Sequence, residues 1–548
     1  MMAAPLLVPR RAPRRDGVRD GAAPVVGRWL GAWAFGLATL LAAGVQAQTL
    51  RIASAFDPQT MDPHALALLY HTRVVNQVYD SLIGRNADFD LEPALATGWQ
   101  MIAPTRWRLQ LREGVVFHDG AAFGADDAVF SLERALAPPS QRAFQLKGVK
   151  AVRKVDAHTI DIELEAPDAA LPHKLTGLPM MNRAWAERHG VQRAQDFNGR
   201  QETHAVRHAN GTGPFMLERY EPDVRTVLKA HPRWWGRGDP RNGNLQQVQF
   251  VVVKSDATRL AALASGEVDL VLDPPYQDVQ RLQREGRFRL LQTPDIGQQY
   301  LTFDQARDEL ESSDVKGRNP FKDRRVRQAV YQAIHVELIV DKVLRGQATP
   351  TGAFLSPRVD GSPRELDRRL PHDPAAARRL LAEAGYPQGF AVTLDCVNVA
   401  WREAVCQAVS AMLTQVGIRT TLRASPTNQF FPKLSQGTTS FIEYGWTPIP
   451  DAWPSLNGLF RTFDRSGLGT FNAGRYSNPR LDALIDAIRV EPDLDRRRAM
   501  VGDALRIVHD DLPYVPLYRR TLTWAMARDV HAVQWPNDTI ELRWAARR

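Results

Sequence analysis

Strand-like and helix-like runs of apolar residues follow one another along almost the whole chain from Leu50 onward. The strand-like runs include TLRIAS, RWRLQLREG, TIDIELE and VQFVVV, where apolar residues alternate with polar ones or follow one another directly. Runs with helical spacing cover residues 256–265, 323–346, 373–384, 477–490 and 495–511. Alternation of the two patterns on this scale predicts α/β layers rather than an all-helical or all-β protein.

Residues with capping chemistry set the limits of several predicted helices. Asp256 is expected to cap a helix that ends at Gly266, and the spacing over 323–346 predicts one continuous helix. Asp373 is the expected N-cap of the next helix, with Gly385 just beyond its end.

The N-terminal 47 residues have the pattern of a cleavable export signal. An arginine-rich segment precedes the apolar run WLGAWAFGLATLLAAGV, and Val45 and Ala47 then supply the small residues that a signal peptidase reads. The alternative is a membrane anchor, but the run is short for spanning a bilayer and rich in Ala and Gly. We expect cleavage after Ala47 and export to the periplasm.

The length and charge of the chain exclude some classes of protein. A chain of 548 residues is too long for one hydrophobic core, so more than one domain is expected. Six arginines and two aspartates lie in residues 1–47, so cleavage would reduce the net charge from +9 to about +5. The basic residues form no patch in the sequence, which argues against a nucleic-acid partner.

The two cysteines, Cys396 and Cys406, both lie in the exported part of the chain. Their separation fits no metal motif. In an oxidising compartment we expect a disulfide between the end of the strand VTLDC and the helix WREAVCQAVSAML, although two buried thiols are the alternative.

Catalytic and metal-binding motifs are absent from the sequence: there is no GxSxG, HExxH, Walker or GxGxxG segment. Asp62, His64 and His71 could form a metal group, but turn formation and solvation in a loop explain them more simply. The sequence therefore predicts no catalytic residue, no metal and no cofactor, and it does not favour an enzyme.

Nine segments in order resemble the family 5 extracellular solute-binding proteins of ABC importers, the dipeptide-, oligopeptide- and nickel-binding group. The first four are VYDSLIGRNADFDLEPALATGW, RWRLQLREGVVFHDGAAFGADDAVFSLERAL, GTGPFMLERY and HPRWWG. LASGEVDLV, PFKDRRVRQAVYQAI, DPAAARRLLAEAGY, RYSNPRLDALI and DDLPYVPLY follow. The resemblance spans residues 50–525, essentially the whole mature chain.

The resemblance implies a bilobal, clamshell-like α/β binding protein with two hinge strands. The first lobe would comprise residues 48–300 and 515–548, with an accessory subdomain at about 85–210. The second lobe would comprise 301–514. The strands that cross between the lobes would then be GQQYLTFD and YVPLYRR, and hinge closure would enclose the ligand.

The segment around Gly445 and Trp446 matches the part of peptide-binding relatives that carries a tryptophan and then an aspartate for the ligand's α-ammonium group. Position 449, where relatives often carry that aspartate, is Ile449. The resemblance suggests that Asp451 takes this role through a shifted loop, with Trp446 and Trp453 as flat apolar walls. The alternative is a plain turn in which Asp451 caps a short helix.

Four further candidates for ligand binding come from their positions in the resemblance. Glu443 stands where relatives can carry an arginine; if it points inward, the pocket would favour a cationic ligand. Leu69, Asp273 and Tyr300 lie next to segments that touch ligand in relatives, although each could equally be structural, and Tyr300 could simply pack.

Together these features predict a monomeric periplasmic binding protein that delivers a short peptide to an inner-membrane ABC permease. The alternatives are the same role for glutathione, an opine-like compound or a metal–chelator complex. From other classes of protein, the alternatives are an exported peptide hydrolase or a chaperone-like holder of unfolded chains.

Overall fold

The computed structural model describes residues 49–464 and 468–548. The predicted signal peptide, residues 1–47, lies outside this part of the chain. Within the described ranges no helix has the length and apolarity needed to cross a membrane.

Strands and helices alternate through the described chain, as the apolar pattern predicts. The strands are β1 Thr49–Ser54, β2 Ile83–Arg85, β3 Leu91–Pro93, β4 Ala96–Ala103, β5 Arg106–Leu111, β6 Val149–Asp156, β7 Thr159–Leu164, β8 Phe215–Glu221, β9 Arg225–Ala230, β10 Gln247–Val252, β11 Leu270–Leu272, β12 Phe288–Pro294, β13 Gln298–Phe303, β14 Ala348–Pro350, β15 Phe390–Val397, β16 Ile418–Ser425, β17 Phe441–Trp446, β18 Tyr514–Ala527, β19 Val530–His531 and β20 Ala546–Arg547. The α-helices are α1 Leu69–Val78, α2 Ala125–Leu136, α3 Leu171–Lys174, α4 Arg183–Arg188, α5 Asp256–Ser265, α6 Tyr276–Glu285, α7 Arg324–Ala333, α8 Val336–Lys342, α9 Pro374–Glu383, α10 Ala400–Thr414, α11 Thr427–Gln436, α12 Ala452–Ser455, α13 Pro479–Val490 and α14 Leu494–Asp511.

The predicted N-cap of one helix is confirmed, that of a second is wrong by one residue although its end at Gly266 is confirmed, and one predicted helix is divided in two. The Asp373 carboxylate accepts the N–H of Ala376 at 2.8 Å, as expected of an N-cap. For α5, Ser255 is the N-cap and Asp256 is the first helical residue, so that prediction was wrong by one position. The helix predicted over 323–346 divides into α7 and α8, because the backbone is extended at Ile334.

Strand β18 is shared by two groups of strands and connects them. Its residues 521–527 pair with β12, and 524–526 also pair with β11, beyond which β1, β10, β9 and β8 follow. Its residues 514–518 pair with β13, beyond which β17, β15 and β16 follow. A separate antiparallel sheet, in the order β4-β5-β7-β6, carries α2.

The buried apolar residues fall into separate cores that follow these groups of strands. One core extends from Ile296 to Tyr518, with Phe89 added from elsewhere in the chain. A second core joins β1 and β10 to the C-terminal segment, and a third fills the separate sheet between Leu82 and Met180. The predicted boundary at 300/301 falls inside β13, and the one at 514/515 falls at the start of β18. The lobe and subdomain limits themselves remain predictions.

Candidate functional site

In the first group of strands, β1 lies between two parallel neighbours, β10 and β11. The carboxyl ends of these strands, at Ser54, Val252 and Leu272, therefore lie along one edge of the sheet. Open α/β sheets bind ligands beyond the carboxyl ends of their parallel strands, where the chain diverges to either side. This edge is the first half of the candidate site.

The second group of strands repeats the arrangement. Here β15 is the central strand and runs parallel to both β16 and β17. Their carboxyl ends, at Val397, Ser425 and Trp446, define a second edge of the same kind.

The chain crosses between the two groups of strands just before β13 and again along β18. Strand register places both carboxyl-end edges at this crossing. Trp446, at the end of β17, pairs with Gln298, the first residue of β13 after the crossing. Leu272, the last residue of β11, pairs with Trp524 of β18. The carboxyl end of β11 is therefore the end that lies nearer the crossing. Gly297 lies at the crossing, where a Cβ would be 3.1 Å from the Trp446 carbonyl oxygen. The two carboxyl edges therefore flank the crossing strands.

Beyond the first edge lies a partly exposed apolar surface with one accessible carboxylate. Phe56 is 57% exposed and stacks on Tyr70 at 5.4 Å, and Leu69, the first residue of α1, is also exposed. The Asp273 side chain is 47% exposed and accepts from buried Arg73 at 2.9 Å. Its backbone has φ +54°, a left-handed conformation that costs energy for a residue other than glycine.

Beyond the second edge, aromatic side chains form a comparable surface. The half-buried indole of Trp446 packs on exposed Phe471 at 5.0 Å. Its N–H donates to the Ser455 hydroxyl at 2.9 Å, which fixes the ring in place. Ile449 is exposed and adds to this apolar surface.

Comparison with known proteins identifies the family to which this chain belongs. Residues 90–467 match the profile of bacterial extracellular solute-binding proteins, family 5, middle region. The chain belongs to this family of solute-binding proteins. The resemblance noted in the sequence is thereby confirmed.

Relatives of this solute-binding protein cover nearly all of its length. Glutathione-binding protein GsiB of Salmonella typhi is 27% identical over 523 residues, which are 92% of this chain and 96% of GsiB. Heme-binding protein A of Haemophilus influenzae is 27% identical over 475 residues, which are 80% of this chain and 81% of that protein. The solved structure of MppA, a periplasmic murein tripeptide binding protein in its unliganded open form, matches with a TM-score of 0.78 at 21% identity. It covers 91% of this chain and 97% of MppA. The predicted bilobal fold is confirmed by this likeness.

Asp451, the predicted ammonium partner, is fully buried in this solute-binding protein. Both carboxylate oxygens pair with the Arg497 guanidinium, at 2.6 and 2.9 Å, and one also accepts the backbone N–H of Trp453. Burial opposes ionisation, but the charge of Arg497 outweighs it and holds the pKa of Asp451 below its usual value. Asp451 therefore caps α12, which was the alternative interpretation of the sequence. Its charge is balanced within the protein, so a ligand role for it has no support in this geometry.

Glu443 points inward, but its charge is also balanced. Its side chain is fully buried and lies 2.6 Å from the Arg402 guanidinium. Burial raises the pKa of Glu443 even though Arg402 opposes the shift. The expected preference for a cationic ligand does not follow, because Arg402 supplies the opposite charge at the same place.

Three other predicted residues have mainly structural surroundings. Tyr300 is fully buried, and its hydroxyl donates to the carbonyl of Phe354, so Tyr300 packs in the core. The Trp453 indole donates to the Ile485 carbonyl at 3.0 Å, which turns that end of the ring toward α13. Gly445 lies in β17 opposite Gln299. We do not include these three in the proposed ligand set.

Sequence reasoning missed two arginines, Arg402 and Arg497, which balance the buried carboxylates of Glu443 and Asp451. Arg497 lies on the same face of α14 as the buried residues Val501, Leu505 and Val508. An arginine on the apolar stripe of a helix needs a buried acidic partner, and this was the signal available in the sequence.

The metal group considered at Asp62, His64 and His71 is a buried network rather than a solvated loop. Asp62 pairs with Arg134 at 2.7 Å, and both side chains are fully buried. His64 and His71 contact the backbone carbonyls of Pro179 and Asp62. Among the described residues, the single cluster with the spacing of metal ligands is Cys396, Cys406 and Glu443. Its two cysteine sulfurs are joined to each other in a disulfide.

The two cysteines form a disulfide that joins the end of β15 to α10. We expect thiol titration of the denatured, unreduced protein to detect no free thiol, and two after reduction. The double variant C396A/C406A is expected to lose about 2–3 kcal/mol of unfolding free energy, since the bridge closes a short loop. Urea denaturation of the variant beside the oxidised protein measures this loss. Two free thiols without reduction would contradict the disulfide.

Proposed function

We propose that this protein binds a short peptide between its two lobes in the periplasm and delivers it to an inner-membrane ABC permease. The observation that carries the proposal is the meeting of two carboxyl-end edges, each with exposed apolar side chains, at the crossing strands. A ligand held by both edges stabilises the closed arrangement of the lobes, and the permease then recognises that closed form. No chemical change in the ligand is required.

The choice of a peptide rests on chemistry and on the named relatives. GsiB is named for glutathione, and MppA for a murein tripeptide, and both ligands are short peptides. Asp273 is also paired with an arginine, but Arg73 is shared with Asp538 at 2.6 Å, so the exposed Asp273 carboxylate is not fully balanced and can accept from an ammonium group. Phe56, Leu69 and Trp446 offer apolar surface for side chains. Among the carboxylates predicted to bind ligand, Asp273 is the one that remains accessible.

Isothermal titration calorimetry and small-angle scattering with di- and tripeptides, glutathione and heme test the proposal. We expect saturable binding of intact peptides and a more compact scattering profile when peptide is bound. Cleaved peptides would instead indicate a hydrolase. Binding of heme without any peptide would replace the ligand class, and a broad affinity for unfolded chains without compaction would indicate a holder.

Replacing Asp273 with asparagine is expected to weaken binding of peptides with a free α-ammonium group by roughly tenfold or more, because a charge-assisted hydrogen bond is lost. N-acetylated peptides should bind equally well to both forms. Asp314 is a matched control, since its side chain is also 47% exposed and pairs with an arginine, Arg419 at 3.0 Å, at the amino end of β16 and away from both carboxyl edges. Calorimetry of Asp314→Asn should give unchanged affinities. Equal losses for free and acetylated peptides would remove Asp273 from this role.

A further inference from the structure

Two carboxylates share one buried arginine at the first edge, and we call Arg73, Asp273 and Asp538 the Arg73 cluster. Arg73 of α1 has a side chain that is 3% exposed, and its Nη1 donates to the Asp273 carboxylate at 2.9 Å. Its Nη2 lies 2.6 Å from the Asp538 carboxylate, and its Nε donates to the Asp538 backbone carbonyl at 2.9 Å. One guanidinium therefore balances only one of the two negative charges.

Both acidic residues of the Arg73 cluster have a left-handed backbone. The φ angle is +54° at Asp273 and +63° at Asp538, which costs energy for residues other than glycine. Asp273 follows the end of β11, whereas Asp538 lies in the C-terminal segment after β19. Strained residues of this kind concentrate at ligand-binding sites, and here two of them meet at one cation.

The two carboxylates of the cluster differ in their access to solvent. The Asp273 side chain is 47% exposed, whereas that of Asp538 is 12% exposed. Asp538 also accepts the Trp524 indole N–H at 2.9 Å and the Gln534 amide N–H at 3.2 Å. Asp273 is therefore the carboxylate that can meet a ligand, and Asp538 is held within the protein.

The charges around the cluster leave an excess of one negative charge. Arg259 of α5 also acts on Asp273, but Arg259 is paired with Asp256, so that pair adds no net charge. The charged groups that act on Asp538 are Arg73 and Asp273 themselves. With both carboxylates ionised, the cluster therefore carries a net charge of −1.

The first proton that the cluster takes up on acidification goes to Asp538. Burial raises the pKa of Asp538 to about 6 against the charge of Arg73, and the charge of Asp273 adds to the rise. Burial also opposes ionisation of Asp273, but Arg73 and a hydrogen bond with Asp538 outweigh it and lower the pKa of Asp273. Once Asp538 is protonated, Arg73 fully balances the charge of Asp273.

We propose that Asp538 is a positioning residue that makes ligand binding at Asp273 depend on pH. This inference rests on the proposed function, in which Asp273 accepts from the α-ammonium group of a peptide. While Asp538 is ionised, it shares Arg73, and the Asp273 carboxylate keeps charge to offer the ammonium group. When Asp538 is protonated, Arg73 pairs with Asp273 alone, and the peptide binds less tightly.

Calorimetry at pH 7.0 and pH 5.0 with di- and tripeptides, each beside its N-acetylated form, tests this pH dependence. The α-ammonium group of a free peptide is charged at both pH values, so a change in affinity comes from the protein. A site that must release one proton with a pKa of about 6 binds about tenfold more weakly at pH 5.0 than at pH 7.0. We expect this loss for free peptides and none for acetylated peptides, which also report any loss of folded protein.

Two variants locate the effect. Asp538→Asn removes the charge but can still accept from Trp524, and it should weaken binding of free peptides about tenfold at pH 7.0 and abolish the pH dependence. Asp80→Asn is the matched control, because Asp80 also accepts an indole N–H, from Trp235 at 2.8 Å, and burial also raises its pKa to about 6. Asp80 lies beyond the C-terminal end of α1, so this variant should keep the affinity and the pH dependence of the unchanged protein.

The outcomes separate this inference from the proposed function. Free peptides that bind equally well at both pH values, or an Asp538→Asn protein that keeps the pH dependence, would overturn the role of Asp538 and leave the peptide cleft in place. Equal losses for free and acetylated peptides would overturn it as well. No binding of any peptide at either pH would overturn both proposals. If Asp538→Asn does not fold, the comparison of free with acetylated peptides on the unchanged protein decides.

Discussion

Replacing Arg497 with methionine is expected to lower the free energy of unfolding by about 3–5 kcal/mol. The substitution leaves the Asp451 carboxylate buried without its cation, because both side chains are almost completely inaccessible, at 3% for Arg497 and 0% for Asp451. Arg497 also donates to the Ile488 carbonyl at the end of α13, so the variant loses that bond as well. Urea denaturation at pH 7 measures the loss.

The neighbouring residue Arg496 provides a matched control. Its side chain is 68% exposed and pairs with Glu491 on the surface, so Arg496→Met should cost at most about 1 kcal/mol. The double variant D451N/R497M should recover part of the loss, since no buried charge remains. Equal effects of Arg496→Met and Arg497→Met would contradict the buried ion pair.

The sequence alone predicted the two crossing strands, but it did not predict the ion pair formed by the aspartate in the loop beside them. The runs GQQYLTFD and YVPLYRR were expected to be extended, and β13 and β18 occupy those positions. Both runs are rich in β-branched and aromatic residues, which is a local property. Whether Asp451 faces a ligand depends instead on Arg497, which lies 46 residues away in the chain.

The same limit explains the result at Glu443. Side chains alternate between the two faces of a strand, so the sequence did not decide whether Glu443 points inward or outward. The pattern also gave no information about the residue with which Glu443 pairs. The structure supplies that partner from α10, inside the loop closed by the disulfide. A tertiary ion pair of this kind reverses the inference about the ligand's charge, because a buried acid with a cation beside it is neutral as a pair.

The break between α7 and α8 shows a further limit of periodicity. Val330 before the break and Ile339 after it are both buried, so the apolar pattern continues through a point where the backbone is extended. Neither Gly nor Pro marks the break. Packing of two separate helices against the core decided it, which is a tertiary effect that a single sequence does not display.

The protein is expected to lose stability steeply as the pH falls from about 6.5 to about 4.5. In four histidines burial lowers the pKa from 6.5 to about 3 or about 4, which keeps them neutral in the folded protein over this range. They are His64, His71, His118 and His173. Below pH 6.5 the unfolded chain takes up these four protons and the folded protein does not, so the stability that they contribute above pH 6.5 is lost as the pH falls.

Two carboxylates oppose this loss. Burial raises the pKa of Asp80 and of Asp538 to about 6, so in this range the folded protein takes up two protons that the unfolded chain does not bind until about pH 4. Burial also raises the pKa of Glu443 and of Glu541, and these carboxylates reduce the net difference further. Four histidine protons alone would give about 5.5 kcal/mol per pH unit, at about 1.4 kcal/mol per proton and pH unit, so the free energy of unfolding should fall by clearly less than this near pH 5.

Urea denaturation at pH 7.5, 6.0 and 5.0 measures this slope, and one histidine variant tests its origin. His71→Gln removes one of the four histidines, whose Nε2–H donates to the Asp62 carbonyl, and should reduce the slope by about 1.4 kcal/mol per pH unit. His208→Gln, at an exposed position, should leave the slope unchanged. A stability that stays constant between pH 7.5 and 5.0, or a slope that His71→Gln does not alter, would show that the buried histidines are not the acid-sensitive groups. Burial is the largest cause of each lowered pKa, and neighbouring cations add to it, since Arg134 and Arg142 lower the pKa of His64 further and Arg142 lowers that of His71.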